Sequence, residues 1–326
     1  MEQNRKVDWP SLFAFKLLGF CTIGLNGIYQ MIILVDIRML TNILRRRYWM
    51  GKIKRSQITG MNFHYLHYPL DYFLDAMEKY EFEKIELWGA EPHLYVEDLS
   101  LTAIRAIKKE IARRDLEVVC FTPEQCMYPI NLAAKESAIR ERSVAYFKKS
   151  IDAALELEAP MVLVTAGWGY RNESRREAWS RTQDSLEQLT AYAEKQGSVL
   201  ALEPLQKIES NLINTLPDLK EMLDSIHSPA LKGMVDTNPL AVEGEALASY
   251  FEELREDFVH IHFIDGDPGG HLAWGDGSLP LEKYMKTLGD HNYNRALTLE
   301  FTSSQYLINP NQAVEKSLRS LAPFLV

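Results

Sequence analysis

The chain has 326 residues, 46% of them hydrophobic and 25% charged, with 45 acidic and 36 basic side chains and a formal net charge of −9. That balance excludes a disordered, collagenous or coiled-coil chain, and the acidic excess argues against a reader of nucleic-acid phosphates, which needs clustered Lys and Arg. Three cysteines, Cys21, Cys120 and Cys126, are too few for a disulfide scaffold and lack CxxC spacing, so reduced thiols in a cytoplasmic setting are expected.

Residues 1–49 differ from the rest. They hold seven basic and three acidic side chains, a net +4 that leaves −13 on residues 50–326. Residues 17–35 form an uncharged run interrupted by Thr22, Asn26 and Gln30, near the lower length limit of a membrane span. Arg38 and the Arg45, Arg46, Arg47 cluster follow it and favour a cytoplasmic C-terminal side. Three readings compete: a signal-anchor helix holding the protein at the cytoplasmic face of a membrane, a secretory signal peptide, and a translated leader with Met50 as the true start. No small-residue cleavage site precedes the basic cluster, which disfavours the second. The leader reading is placed slightly ahead of the anchor. Either way the expected division is an apolar, basic leader over 1–49 and a catalytic domain over 50–326, with a membrane as partner only if the leader is real.

From Met50 onward, apolar runs alternate with amphipathic helical stretches. Strands are expected at 57–63, 84–88, 117–122, 161–166, 199–203, 231–236, 258–264 and 296–300. Helices are expected at 70–80, 101–114, 135–158, 175–196, 216–226, 245–254, 281–288 and 312–321. The strands are short continuous apolar runs, as when both faces of a parallel sheet are buried. Eight strand–helix units without a long linker, in a length close to the ~250 residues of a (β/α)₈ barrel, point to one closed α/β barrel, a TIM barrel. An open doubly wound sheet would carry a Gly-rich phosphate turn after its first strand; here that turn reads Met61-Asn62-Phe63-His64-Tyr65.

In such a barrel the active site lies at the C-terminal ends of the strands. Strands five to eight end in Leu202-Glu203, Val235-Asp236, His260-Ile261-His262 and Leu299-Glu300. Three carboxylates and an imidazole would therefore share one rim. A single acidic residue at a strand end is as commonly a helix N-cap, but four ligand-type residues at equivalent ends favour a shared cation. Three carboxylates and one imidazole suit Mn²⁺, with Mg²⁺, Co²⁺ or Zn²⁺ also acceptable, and do not suit a Cys-rich structural zinc site. The segment after strand seven carries Asp265, His271 and Gly275-Asp276-Gly277. Asp265 and His271 are candidates to orient ligands or touch substrate, and the glycines would let the loop approach closely. Trp88, His93, Tyr128, Trp168 and Trp274 stand near strand ends and are candidate pocket walls.

These residues carry a resemblance. From about residue 53 the chain resembles the xylose-isomerase-like TIM-barrel family of sugar isomerases and epimerases. The carrying segments are Ile85-Glu86-Leu87-Trp88-Gly89 with Pro92-His93, Thr122-Pro123-Glu124 with Tyr128-Pro129, Leu202-Glu203-Pro204-Leu205, Met234-Val235-Asp236, His260-Ile261-His262 and Leu299-Glu300. The Trp-Gly and Thr-Pro-Glu segments point to the fructoselysine-type 3-epimerase branch. The resemblance implies one divalent metal held by Glu203, Asp236, His262 and Glu300, with His262 as the ligand of the HxH pair. It makes Glu203 and Glu300 the catalytic acid/base pair and Glu209, Trp88 and His93 substrate contacts. Two departures stand out: free-ketose 3-epimerases carry a His where this chain has Pro239 and an Arg where it has Pro268, so a substituted C1 on the substrate is plausible.

The expected activity is metal-dependent inversion at C3 of a ketose or ketosamine, fructoselysine-like, through a cis-enediolate. The alternatives are an aldose–ketose isomerase or a sugar dehydratase on the same site, and, less favoured, a DNA-repair endonuclease. The expected partner is a small sugar, with no nucleic acid; the sequence is silent on oligomeric state.

Overall fold

The computed structural model describes residues 53–326. The expectations for residues 1–49 lie outside the described residues; among the described residues no helix is long and apolar enough to cross a membrane. In chain order the elements are β1 (Ile58–Met61), α1 (Leu70–Lys79), β2 (Lys84–Gly89), α2 (Leu101–Ala112), β3 (Glu117–Pro123), α3 (Ser137–Glu156), β4 (Met161–Thr165) and α4 (Arg175–Gln196). There follow β5 (Val199–Glu203), α5 (Leu216–Ile226), β6 (Leu231–Asp236), α6 (Thr237–Val242), α7 (Leu247–Leu254), β7 (Phe258–His262), β8 (Asp265–Asp267), β9 (Gly269–Leu272), α8 (Leu281–Asp290), β10 (Leu297–Leu299) and α9 (Pro310–Leu321).

Eight parallel strands close into a ring in the order β1-β10-β7-β6-β5-β4-β3-β2. Closure is made by β1 against β10, with Ile58 opposite Leu297 and Gly60 opposite Leu299. The expected TIM barrel is therefore the observed fold. Its strands are buried on both faces, as the continuous apolar runs require: β1 is buried throughout, and β5 is buried but for Val199. The surrounding helices bury one stripe each, for example Phe73, Leu74, Ala76 and Met77 on α1. Their ends carry ordinary stop and start chemistry. Ser100 caps α2 by accepting from Ala103 N, Thr215 and Asp218 form a capping box on α5, and α4 ends at Gly197 with φ +72°. The C-terminus ties down the first described residues, because Val326 N donates to Ile53 O and Arg55 N to Val326 O.

Two elements depart from the expected pattern. The helix α6 starts directly at the end of β6. The segment after β7 folds into an antiparallel hairpin, β8–β9, rather than an open loop. That hairpin and the turn beyond it are organised by one side chain. Asp265 accepts four backbone N–H groups: Gly266 and Leu279 on Oδ1, Gly275 and Gly277 on Oδ2, at 2.9–3.0 Å. A Cβ at position 277 would stand 2.5 Å from Asp265 Oδ1 and 2.4 Å from Gly266 O, so only glycine fits there.

Asp265→Ala would strand four donors in a partly buried turn. It should destabilise the fold by about 2 kcal/mol, since one buried unsatisfied donor costs roughly 1–3 kcal/mol. Urea unfolding measures this, and an unchanged midpoint would contradict the role assigned to Asp265.

Candidate metal centre

Glu203, Asp236 and His262 are the last residues of β5, β6 and β7, and Glu300 directly follows β10. Register places Asp236 beside His262, and Thr298, two residues before Glu300, also beside His262. Side chains two apart on a strand share a face, so Glu300 joins the same inward set. The barrel thus brings all four predicted ligand residues together, with ligand atoms all within 4.8 Å of one another. His262 Nδ1 lies 3.1 Å from Glu203 Oε1, 3.1 Å from Glu300 Oε2 and 3.8 Å from Asp236 Oδ2.

The chemistry of this donor set fits a divalent cation. His262 and Asp236 are buried, yet His262 Nδ1 and Asp236 Oδ2 make no well-aligned hydrogen bond: their near neighbours, Glu203, Glu300 and His271 at 3.1–3.2 Å, lack the geometry for one. Buried polar atoms are normally satisfied, and here two orphans face the same point among acidic neighbours. The other oxygen of Asp236 is occupied: Oδ1 accepts from Asn238 N at 2.6 Å and caps α6. One oxygen of Asp236 is thus the cap, and the other is left to face a cation. Three carboxylates and an imidazole nitrogen could hold Mn²⁺ or a similar hard-to-borderline ion.

The electrostatics are those of a crowded acidic site. Burial disfavours charge on His262, but Glu300, Glu86 and Glu203 outweigh it and hold the imidazole well above its usual range. Burial pushes Glu203 up to about 7, and the nearby acidic groups add to this against the pull of His262. Burial also acts on Glu300, yet His262 and His271 hold it below the usual carboxylate range. Two carboxyls facing one imidazole nitrogen are thus driven apart in acidity, as in an acid/base pair.

Of the predicted substrate contacts, three border this site. His271, on β9, turns its Nε2 to 3.2 Å from Asp236 Oδ2 and 3.6 Å from Glu300 Oε2, with its own backbone at φ +38°. Desolvation works against its charge, but Asp236 and Glu300 raise it to about 9. Trp88 and Glu209 line the adjoining cavity of about 320 Å³ together with Glu203, Asp236, His271 and Glu300. The Trp88 indole is held by Glu124 Oε2 at 2.9 Å and packs on Phe63.

The other two do not line this cavity. His93 is buried away from this cavity with both ring nitrogens engaged: Nε2 faces Tyr68 O and Nδ1 faces Asn62 Nδ2, each at 2.8 Å. It braces the loop after β2. Asp265 has its acceptors filled by the hairpin amides described above and has none left to offer a sugar. Trp274 is likewise buried, donating from Nε1 to Phe263 O. One residue escaped sequence reasoning: Glu86, inside β2, is fully buried and contacts Nε2 of both His260 and His262. The signal was present, since a lone acidic residue within Ile85-Glu86-Leu87-Trp88 is a costly burial that demands partners.

Comparisons with known proteins agree with this fold. A family model described as "Xylose isomerase-like TIM barrel" matches residues 74–324. Fructoselysine 3-epimerase from Shigella flexneri is 32% identical over 262 residues, which cover 78% of this chain and 94% of that protein. Among solved structures, 3-keto-D-glucoside 4-epimerase from E. coli superposes with a TM-score of 0.68 at 18% identity, covering 80% of this chain and 98% of that one. L-ribulose 3-epimerase superposes at 0.69 and 19% identity, covering 82% and 92%. At those identities the structural likeness is one of fold.

Metal binding at this centre must displace protons. A cation entering at pH 6 competes with the protons on Glu203, near its titration at about 7, and on His262; at pH 8 the Glu203 proton is gone. The Mn²⁺ dissociation constant should fall by at least about tenfold between pH 6 and pH 8, the part due to Glu203 alone, with proton release throughout. Calorimetric titration in buffers of different ionisation enthalpy reads both. A pH-independent affinity without proton release would contradict this centre.

Proposed function

Because the chain belongs to the xylose isomerase-like TIM barrel family, with sugar 3-epimerases among its relatives, we propose that it inverts C3 of a ketosamine of the fructoselysine type at the Glu203–Asp236–His262–Glu300 centre. The observation that carries this reading is the placement of Glu203 and Glu300 at equal distances, 3.1 Å, from one imidazole nitrogen. They come from β5 and β10, which bracket the adjacent pair β6 and β7 in the ring. A substrate lying over His262 would have a carboxyl on either side.

A divalent cation held by these four residues would supply Lewis-acid polarisation of the substrate carbonyl and stabilise negative charge as it develops. The protein's own groups move the proton. Glu300, as carboxylate, takes the proton from C3 and leaves an enediolate of the substrate. Glu203, as carboxylic acid, returns its own proton to C3 from the other side. The stereocentre is inverted, and the pair is ready for the reverse reaction. His271, charged beside Asp236 and Glu300, would donate to a sugar oxygen. Leu205 and Pro239 give the cavity apolar wall, and Pro239 stands where free-ketose epimerases carry a polar side chain.

Space for a C1 substituent favours a ketosamine over a free ketose. The main cavity shares Gln125, Cys126, Thr165, Leu205 and Glu209 with a second cavity of about 250 Å³ that reaches Trp168 and Ile208. Glu209 borders both cavities, where a carboxylate would meet the cationic amine of a ketosamine.

Proton NMR in D₂O tests the reading over a panel of fructoselysine-type ketosamines and free ketoses with Mn²⁺. Deuterium should enter at C3, with the ketosamine turned over faster. Exchange at C1 with an aldose product would make the enzyme an isomerase, and loss of water would make it a dehydratase. Glu203→Gln and Glu300→Gln should each lower kcat by about 10²–10⁴-fold, the usual worth of a general acid or base, with thermal unfolding preserved. Full turnover in either variant would remove that residue from the pair.

A further inference from the structure

Beneath the ligand cluster lies a second polar group within the barrel. Glu86, His260 and His262 are each 1% exposed or less. Glu86 Oε2 lies 2.6 Å from His260 Nε2, and Oε1 lies 3.0 Å from His262 Nε2. The Thr122 hydroxyl donates to Oε1, and Thr298 Oγ1 lies 3.4 Å from His260 Nε2. The core of such a barrel is ordinarily filled with branched apolar side chains, so a buried carboxylate here needs a reason beyond packing.

Two chemistries could account for it. Glu86, Cys120 and His260 have ligand-type atoms within 4.8 Å of one another, as a second cation site would. The hydrogen bonds argue otherwise. None of these three side chains has an unpartnered buried atom, whereas His262 Nδ1 and Asp236 Oδ2 in the cluster above do. Glu86 and His260 are in direct contact at hydrogen-bond distance, leaving no gap for an ion. Glu86, Cys120 and His260 do not border the substrate cavity either.

The alternative follows from donor counting. An ionised carboxylate only accepts, and a neutral imidazole carries one N–H. Once a cation displaces the second proton, contact with Glu86 keeps the remaining His262 proton on Nε2 and leaves the Nδ1 lone pair facing Glu203, Asp236 and Glu300. A carboxylate that fixes a ligand histidine in this way also raises its basicity and is a large part of a metal site's affinity. We propose that Glu86 is the positioning residue of the metal centre: it sets the tautomer and ring orientation of His262, while His260 and Thr122 hold its own carboxylate in place. This inference rests on the reading of the Glu203–Asp236–His262–Glu300 cluster as a metal site.

The test compares Mn²⁺ binding, followed by EPR, in the full-length protein and in Glu86→Gln. Glutamine keeps the shape but must turn an NH₂ toward one of the two imidazoles. The variant should bind Mn²⁺ about 10–100-fold more weakly, with one ion per chain in both proteins. A folded variant that binds Mn²⁺ with unchanged affinity would overturn the role of Glu86 and leave the metal reading standing. Failure of the unaltered protein to bind Mn²⁺ would overturn both. A second bound ion lost on Glu86→Gln would instead make Glu86 a ligand. Long-range ¹H–¹⁵N NMR of the imidazoles in the unaltered protein loaded with diamagnetic Zn²⁺ does not depend on the variant's folding. His262 is expected to keep its proton on Nε2 with Nδ1 bare, and Nδ1–H with Nε2 bare would overturn the proposal.

Discussion

The constraint on which this molecule turns is the convergence of three carboxylates on one buried imidazole nitrogen. Like charges brought together out of water are costly, and the mouth of the barrel concentrates them instead of dispersing them. His262 at the centre is pulled toward its charged form, Glu203 toward its neutral form, and two facing atoms are left without hydrogen bonds. A site arranged this way is under electrostatic load that a divalent cation relieves. The same load separates the acidities of Glu203 and Glu300.

The barrel's regularity made much of this legible from the amino-acid order. Strand and helix positions follow from continuous apolar runs alternating with amphipathic stretches, and β5, β6, α4 and α5 fall where the pattern puts them. The positional logic of the fold then makes the last residue of each strand a candidate ligand. Glu203, Asp236 and His262 end their strands, and Glu300 follows its own by one. What escaped depends on tertiary partners. The β8–β9 hairpin owes its form to Asp265 gathering four amides from positions up to fourteen residues away, which no local propensity encodes. For the same reason Asp265 is a loop organiser and not a sugar contact, and His93 is spent on Asn62 and Tyr68. The helix α6 is hidden in the sequence because its cap, Asp236, already reads as a ligand candidate at the end of β6.

The hairpin matters to the site because it carries His271 over the carboxylates. There the hairpin offers a cationic imidazole close to Asp236 and Glu300. Glu86 completes the arrangement from below. A buried acid in β2 reaches both histidines of β7 across the inside of the barrel, so strands distant in the chain share responsibility for one nitrogen lone pair. Substrate-facing and core-facing halves of the site are thus coupled through His262: its Nδ1 meets the carboxylates and its Nε2 meets Glu86.

The most direct measurement is an anomalous difference map from crystals of the protein grown with Mn²⁺, recorded at the manganese edge. The account requires one strong peak within coordination distance of Glu203, Asp236, His262 Nδ1 and Glu300. A peak elsewhere, or none at this cluster with the protein intact, would contradict it.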